Sequence, residues 1–410
     1  MRQLLAVAAI AGGFWSAVVA QAPSDMSPQQ LYERHRWFEL RDAIAGNTVP
    51  PLYSGAVASA FNRTADAERL LNRAVREAST IEVANEAREA LGNLYMRLGR
   101  SSDMLRVFDE LLAVAPWRSD VRNVLQAFES FRRLPNQSAR VGRERPFRCS
   151  VSANGVRLPL MVNGKAVEWL FDSAFSHSAL SESEARMLGV VSMRGARATA
   201  EDFAGGTTST RTAVAGRMTV GDAELRNVPV LVFPDSQPPW NEQAPGKRGT
   251  IGLPVILALE GIRWTRDGTC QVGPGSKRPA EADVNLAFDG VTPVTRVQLL
   301  GKPLEFVLDT GNQGGTQLWE RFGRDFPDVA SRGRKGTRQV HQIGGSEERE
   351  ILVIPELRLR VGEFDGVLQP ANMFFKPVGN DLQHGNLGLD VLSQSTEVTI
   401  DFQAMSLTLR

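Results

Sequence analysis

The sequence predicts a multidomain chain of mixed α and β structure: a helical N-terminal region, then two all-β lobes built on one plan. Three observations predict it. Residues 28–135 read as helical, with small and apolar residues recurring at the offsets of paired helices. From Phe147 onward, short β-prone runs are split by Asn-Gly turns, and many short strands with few helices imply closed or strongly curved sheets. The β part also repeats itself. Gly164-Lys165-Ala166-Val167-Glu168-Trp169-Leu170-Phe171-Asp172-Ser173-Ala174 lies 137 positions before Gly301-Lys302-Pro303-Leu304-Glu305-Phe306-Val307-Leu308-Asp309-Thr310-Gly311.

The length of 410 residues predicts about three units of ordinary domain size. Residues 1–20 read as a secretory signal: Arg2 is the positive start, Leu4 to Val19 is mostly apolar and small, and Val18-Val19-Ala20 puts small residues at the cleavage positions. The competing reading is an uncleaved membrane anchor, for which the run is short and glycine-containing. No Cys follows it to carry a lipid, and no later segment approaches the ~18 apolar residues of a membrane helix. The expectation is export to the periplasm or medium, with no membrane association after cleavage.

Residues 21–135 form the helical region. Leu91-Gly92, Tyr95, Gly99, Phe108 and Pro116 fall at the offsets of a tetratricopeptide repeat, and Gly55, Ala67, Leu71 and Ala74 fit the unit before it. Small residues would let two helices approach while Tyr95 and Phe108 fill the gap. Leu31 to Ala45 and Val121 to Phe131 read as flanking helices. The region resembles a short tetratricopeptide-like array. Such an array offers a surface for a partner protein, or it serves as a cap that steadies the rest; two recognisable repeats favour the cap. Residues 136–146, polar and Arg-rich, read as a linker.

Residues 147–275 form the first lobe. Phe147 to Val151, Val156 to Val162 and Val167 to Phe171 read as strands split by Asn154-Gly155 and Asn163-Gly164, and Ser181 to Leu188 as a helix. Thr207 to Ala215, Arg217 to Val220 and Val228 to Phe233 continue as strands, and Pro234 to Gly249 reads as an exposed loop. Gly273 to Asp283 joins the lobes, and residues 279–410 repeat the order.

One Asp-Thr-Gly arises by chance about once in ten chains of this length. The second copy makes it informative. Gly, Lys and Glu recur at the same offsets, and the last three residues before each Asp are apolar. Gly205-Gly206 follows Asp172 at 33 positions and Gly344-Gly345 follows Asp309 at 35. Ile251-Gly252-Leu253 and Leu387-Gly388-Leu389 come next, their first glycines 80 and 79 positions after the aspartates. This is an internal duplication.

The pattern resembles the aspartic peptidases, specifically a retropepsin-like acid protease unit present twice in one chain, over roughly residues 147–410. Asp309-Thr310-Gly311 matches the family motif; Asp172-Ser173 matches, with Ala174 where Gly is usual, and Phe175 and Asn312 are bulkier than the family's common residues. The resemblance implies that Asp172 and Asp309 are the catalytic pair and that Gly205-Gly206 and Gly344-Gly345 are flap tips. It implies that Ile251-Gly252 and Leu387-Gly388 brace the two Asp loops. It also implies that the terminal strands of the first lobe lie close together, so that Cys149 and Cys270 are either a disulfide or two buried thiols.

The chemistry follows from pairing the aspartates. Two carboxyls about 3 Å apart cannot both ionise cheaply, so they share a proton. The ionised one serves as base for a water between them; the other polarises the scissile carbonyl. The hydroxyls of Ser173 and Thr310 suit bonding to the opposite loop's backbone, and Gly311 permits close approach. Ala174 adds a methyl group in a crowded place. Read alone, Asp172 would be a strand-end residue capping a turn, and the Gly-Gly pairs ordinary hairpin tips.

Other classes fall away. A net charge of +1, from 47 basic and 46 acidic residues, gives no hint of nucleic acid or anionic membrane. Four histidines and two cysteines make no metal-ligand spacing, and no cofactor motif is present. Ser176-His177 is a tempting pair, but adjacent residues in a strand or turn point apart, and no Gly-x-Ser-x-Gly elbow is present. The sequence therefore predicts an exported aspartic endopeptidase acting on peptides or proteins, with a complete site in one chain and no need of a homodimer. The alternatives are a non-catalytic peptide-binding protein on the same scaffold and a helical-repeat adaptor.

Overall fold

The structure is a computed structural model that describes residues 26–142, 145–193, 198–201, 206–273, 284–342, 345–375 and 381–410. The expected signal 1–20, most of the stretch joining the lobes, Gly205 and Gly344 lie outside the described residues.

The N-terminal region is a succession of helices: Pro28–Glu33, Trp37–Ile44, Pro51–Ala60, Thr64–Glu77, Ile81–Arg97, Ser101–Val114 and Ser119–Phe128, followed by a 3-10 turn at Glu129–Arg133. Ser27 opens the first with a reciprocal cap, its hydroxyl taking the Gln30 amide while the Gln30 side chain takes its own. Thr64–Glu77 buries only Ala67, Leu71 and Ala74, one face of a helix. Glycine sets the closest approaches. A Cβ on Gly92 would stand 2.0 Å from the Phe108 ring, and one on Gly55 2.8 Å from Leu71. The single helix expected over Leu31 to Ala45 is two. His35 takes a left-handed backbone (φ 52°) between them and donates from Nδ1 to Asp289, a long-range partner that local pattern does not show.

The β part contains two ten-stranded sheets among the described residues, with the same pairings around each aspartate. In the first, Lys165–Phe171 leads to Asp172. It lies between its antiparallel hairpin partner Gly155–Val162 and the parallel strand Gly249–Ile251. In the second, Lys302–Leu308 leads to Asp309 between Thr292–Leu299 and Gly385–Leu387. Each short parallel strand then pairs with a further strand, Ser178–Ser181 or Gln317–Leu318. A long hairpin leaves each sheet: Ala198–Glu201 with Thr207–Val220, and Arg334–Gln342 with Gly345–Ile354.

A third sheet of five strands takes members from both halves. Phe147–Arg148, Thr269–Val272 and Gly261–Thr265 come from the first; Glu397–Asp401 and Ser406–Leu409 come from the second. Gly261–Thr265 pairs antiparallel with Glu397–Asp401 across the junction. Cys149 and Cys270 are joined by a disulfide at the edge of this sheet, 121 positions apart in sequence.

Four local expectations change. Phe147 to Val151 is split, Phe147–Arg148 and Ser150–Ser152 going to different sheets. Thr207 to Val220 runs on as one strand, because Gly216 keeps an extended backbone and the strand trades one partner for another around it. The expected linker carries an edge strand, Ser138–Arg140, paired with Ala223–Phe233. The Pro-rich stretch 234–249 is not simply exposed: Trp240 is buried, its ring 4.6 Å from Phe233 and 6.2 Å from Phe175.

The helices pack on both halves. Asp289, buried, accepts from His35 Nδ1 at 2.6 Å, Trp37 Nε1 at 3.3 Å and Gln383 Nε2 at 3.1 Å. Burial opposes its charge, and His35 with the two other donors more than offsets that. Arg97 is buried over the Phe288 ring and donates to the carbonyls of Ser59 and Gly290; burial pushes it down to about 9. On the first half, Thr212 Oγ1 donates to the Ala127 carbonyl at 2.9 Å, and the Phe128 ring lies 5.0 Å from His177.

Candidate active site

Each aspartate stands where a buried strand runs out into a turn. Trp169, Leu170 and Phe171 are buried ahead of Asp172; Phe306, Val307 and Leu308 are buried ahead of Asp309. The backbone amides of the two aspartates donate to Ile251 O at 3.1 Å and Leu387 O at 3.0 Å, so the apolar-Gly segments hold the loops from behind. Gly252 and Gly388 have no room for side chains. A Cβ on the first would meet the His177 carbonyl at 2.3 Å, and one on the second would meet Gly315 at 2.8 Å.

The two loops are tied to each other reciprocally. Ser173 Oγ donates to Leu308 O at 2.7 Å and accepts from the Thr310 amide at 3.1 Å. Thr310 Oγ1 donates to Phe171 O at 3.0 Å and accepts from the Ser173 amide at 3.0 Å. Both hydroxyl-bearing residues are wholly buried. Four hydrogen bonds out of water therefore lock the loops in register, and losing any hydroxyl would strand buried partners.

Both carboxyls converge on Gly311. Its amide donates to Asp309 Oδ1 at 3.0 Å. The place of its missing Cβ lies 2.2 Å from Asp172 Oδ2 and 2.3 Å from Asp172 Cγ. Only glycine leaves room for the Asp172 carboxyl there. The Ala174 amide donates to Asp172 Oδ1 at 3.0 Å, so each carboxyl caps its own turn. Burial, then the nearby Asp309 carboxyl, pushes Asp172 up to about 8. Burial also raises Asp309, but the Asn386 side chain and the turn amides oppose it.

The two sides of the site are unlike. Asn386 Nδ2 donates to Asp309 Oδ2 at 2.8 Å. At the matching place before the first apolar-Gly pair stands Thr250, which is buried and makes no such bond to Asp172. Ala174 belongs to a buried apolar cluster with Val307, Trp319, Val340, Ile351 and Phe374 of the second half, and Phe175 joins Phe233 and Trp240. Of the expected hairpin-tip glycines, Gly206 is buried and Gly345 has φ 152°; Gly205 and Gly344 lie outside the described residues.

Ser176 and His177 do approach, with His177 Nδ1 3.4 Å from Ser176 Oγ, contrary to the expectation that they point apart. The turn after Asp172 curls both inward; His177 is buried and pushed down to about 4 by that burial. Sequence reasoning missed Asn386. Setting the two copies side by side, with Asn386 opposite Thr250, is the one signal that could have found it.

Residues 158–255 match the family model described as aspartyl protease. That span contains Asp172, Ser173, Ala174, Ile251 and Gly252. The match supports aspartic peptidase chemistry, with peptides or proteins as substrates. No curated protein sequence matches. Among solved structures, the chain is similar to a retropepsin-like aspartic protease from Rickettsia conorii, at 15% identity over 34% of this chain and 97% of that one, with a TM-score of 0.23. It is also similar to EIAV protease complexed with the inhibitor HBY-793, at 22% identity over 25% of this chain and 86% of that one, with a TM-score of 0.19.

Proposed function

We propose that this chain is an exported aspartic endopeptidase in which two fused retropepsin-like lobes contribute Asp172 and Asp309 to one site. The observation that carries the reading is the reciprocal bonding of Ser173 and Thr310, with both carboxyls meeting at Gly311. The disulfide supports an oxidising compartment and hence export. Gly92 against Phe108 and Gly55 against Leu71 support a tetratricopeptide-like array, and its burial on both halves favours a steadying role over an adaptor's.

The roles divide by environment. Asn386 stabilises the Asp309 carboxylate, so Asp309 is the base and Asp172 carries the shared proton. Asp309 takes a proton from the attacking water as its oxygen bonds to the scissile carbon. Asp172 gives its proton to the carbonyl oxygen, which yields a neutral gem-diol. Asp309 then passes its proton to the amide nitrogen as the C–N bond breaks, and Asp172 recovers a proton from the diol. The acid and amine products leave with the dyad restored, and no covalent intermediate forms.

The test is incubation of the purified protein with a mixed peptide library between pH 3 and 7. Cleavage that disappears in both Asp172→Asn and Asp309→Asn supports the reading. Peptide binding without cleavage by the unaltered protein overturns it in favour of a binding scaffold.

A further inference from the structure

The hairpin Arg334–Gln342 with Gly345–Ile354 has one face turned to the site. Directly opposed residues of an antiparallel pair share a face. Gly336 opposes Ile351, Arg338 opposes Arg349 and Val340 opposes Glu347. Val340 and Ile351 belong to one buried apolar cluster with Ala174 of the Asp172 loop, so this is the inner face. Arg338 lies on it and donates to the carbonyl of Gly314, in the turn that follows Asp309-Thr310-Gly311.

Arg338 is a cation without a matching anion. Its Nη1 is buried and has no hydrogen-bond partner. Among the described residues it makes no ion pair, whereas Arg349 beside it is paired with Glu347 at 3.0 Å. Asp390 is near enough to favour the charge, but its Oδ1 is engaged by Thr316 and Val391. Burial alone pulls the guanidinium below its usual range, and it stays cationic at neutral pH. A half-buried guanidinium held only by a backbone carbonyl is poised for a planar two-oxygen acceptor.

The first half differs at the matching position. Gly314 is the fifth residue after Asp309, and its counterpart after Asp172 is His177. Gly314 is exposed, but His177 is buried under Phe128 of the last helix. At this position, among the described residues, the second half presents a charge and the first half does not.

We propose that Arg338 is a specificity-determining residue that binds a carboxylate of the peptide lying on the second-half side of the scissile bond, a proposal that rests on the peptidase reading. The carboxylate is an acidic side chain or the free C-terminus. A charge-assisted bond of this kind predicts a preference of roughly tenfold to a hundredfold.

The test uses one cleaved peptide in variants with Glu or Gln at each position and with a free or amidated C-terminus. The full chain and its Arg338→Gln and Arg338→Lys variants are compared by kcat/KM. The expected result is a carboxylate preference at one position, expressed in KM, that collapses in Arg338→Gln and is partly kept in Arg338→Lys. Loss on amidation identifies a terminal carboxylate; loss on Glu→Gln identifies a side chain. No preference in the unaltered chain, or a Glu-to-Gln ratio that Arg338→Gln leaves unchanged while all rates fall, overturns the proposal and leaves Arg338 a brace of the Asp309 turn. Fluorescence anisotropy with Asp309→Asn and labelled Glu or Gln peptides separates the two readings. Carboxylate-dependent binding with no cleavage by the unaltered chain retains Arg338 and sinks the peptidase reading.

Discussion

Replacing Asn386 with Leu removes the single hydrogen bond that distinguishes one carboxyl of the pair from the other. Leu keeps the branched shape of Asn at a larger volume and can make no hydrogen bond, so the variant loses the 2.8 Å bond from Nδ2 to Asp309 Oδ2. A hydrogen bond to a charged group contributes about 1.5–3 kcal/mol. Asn386 favours the ionised form of Asp309, so without it Asp309 holds its proton more tightly and the base is lost at a higher pH. On the acid side of the profile kcat/KM falls by about tenfold to a hundredfold, since about 1.4 kcal/mol is a factor of ten. The alkaline limb, which reports loss of the Asp172 proton, moves far less. The assay is kcat/KM against pH for one peptide, with thermal melting to confirm that the variant is folded. An acid limb that stays in place in a folded Asn386→Leu protein would refute the division of labour. Asn386→Thr, which copies Thr250, should behave like the Leu variant.

Gly311→Ala places a methyl group 2.2 Å from Asp172 Oδ2, so the carboxyl must move; activity should fall by more than about a hundredfold while melting stays cooperative. Glu305 is buried with Arg36 Nε 4.0 Å away, and burial pushes it up to about 7. Its folded form binds a proton more tightly than the unfolded chain does, so stability falls as pH rises from about 4.5 to about 7. Glu305→Gln should remove roughly 3 kcal/mol of that slope at most, read from urea unfolding at the two ends of the window; an unchanged slope would contradict it. The disulfide closes a separation of 121 residues, and removing it as the Cys149→Ala, Cys270→Ala double variant should cost about 2–5 kcal/mol. Dithiothreitol should lower the unfolding midpoint of the unaltered chain and leave the double variant alone.

Some of this architecture could be read from the sequence because it is local or repeated. The strands before Asp172 and Asp309 are runs of apolar residues, and the glycines behind them recur at 80 and 79 positions. Ser173 and Thr310, which carry the cross-loop bonds, stand beside the aspartates in sequence. What could not be read depends on distant partners. His35 breaks a helical pattern because Asp289 lies 254 positions away. Trp240 sits in a Pro- and Gln-rich run that reads as surface, yet Phe233 and Phe175 close around it. Asn386 has no twin in the first copy, so the repetition that exposed the aspartates hid it. Arg338 needed the pairing with Arg349 and Val340's place in the buried cluster of Ala174 before its direction meant anything.

Gly311 faces Asp172 where Ala174 is its counterpart, and Asn386 faces Asp309 where Thr250 is its counterpart. A catalytic site made by two identical chains receives every mutation twice, once on each side of its axis. Here each side has its own codons, so a change that suits one carboxyl need not be tolerated by the other. On the peptidase reading, that freedom would let the Asn386 amide settle where the proton rests and let Arg338 mark one end of the site.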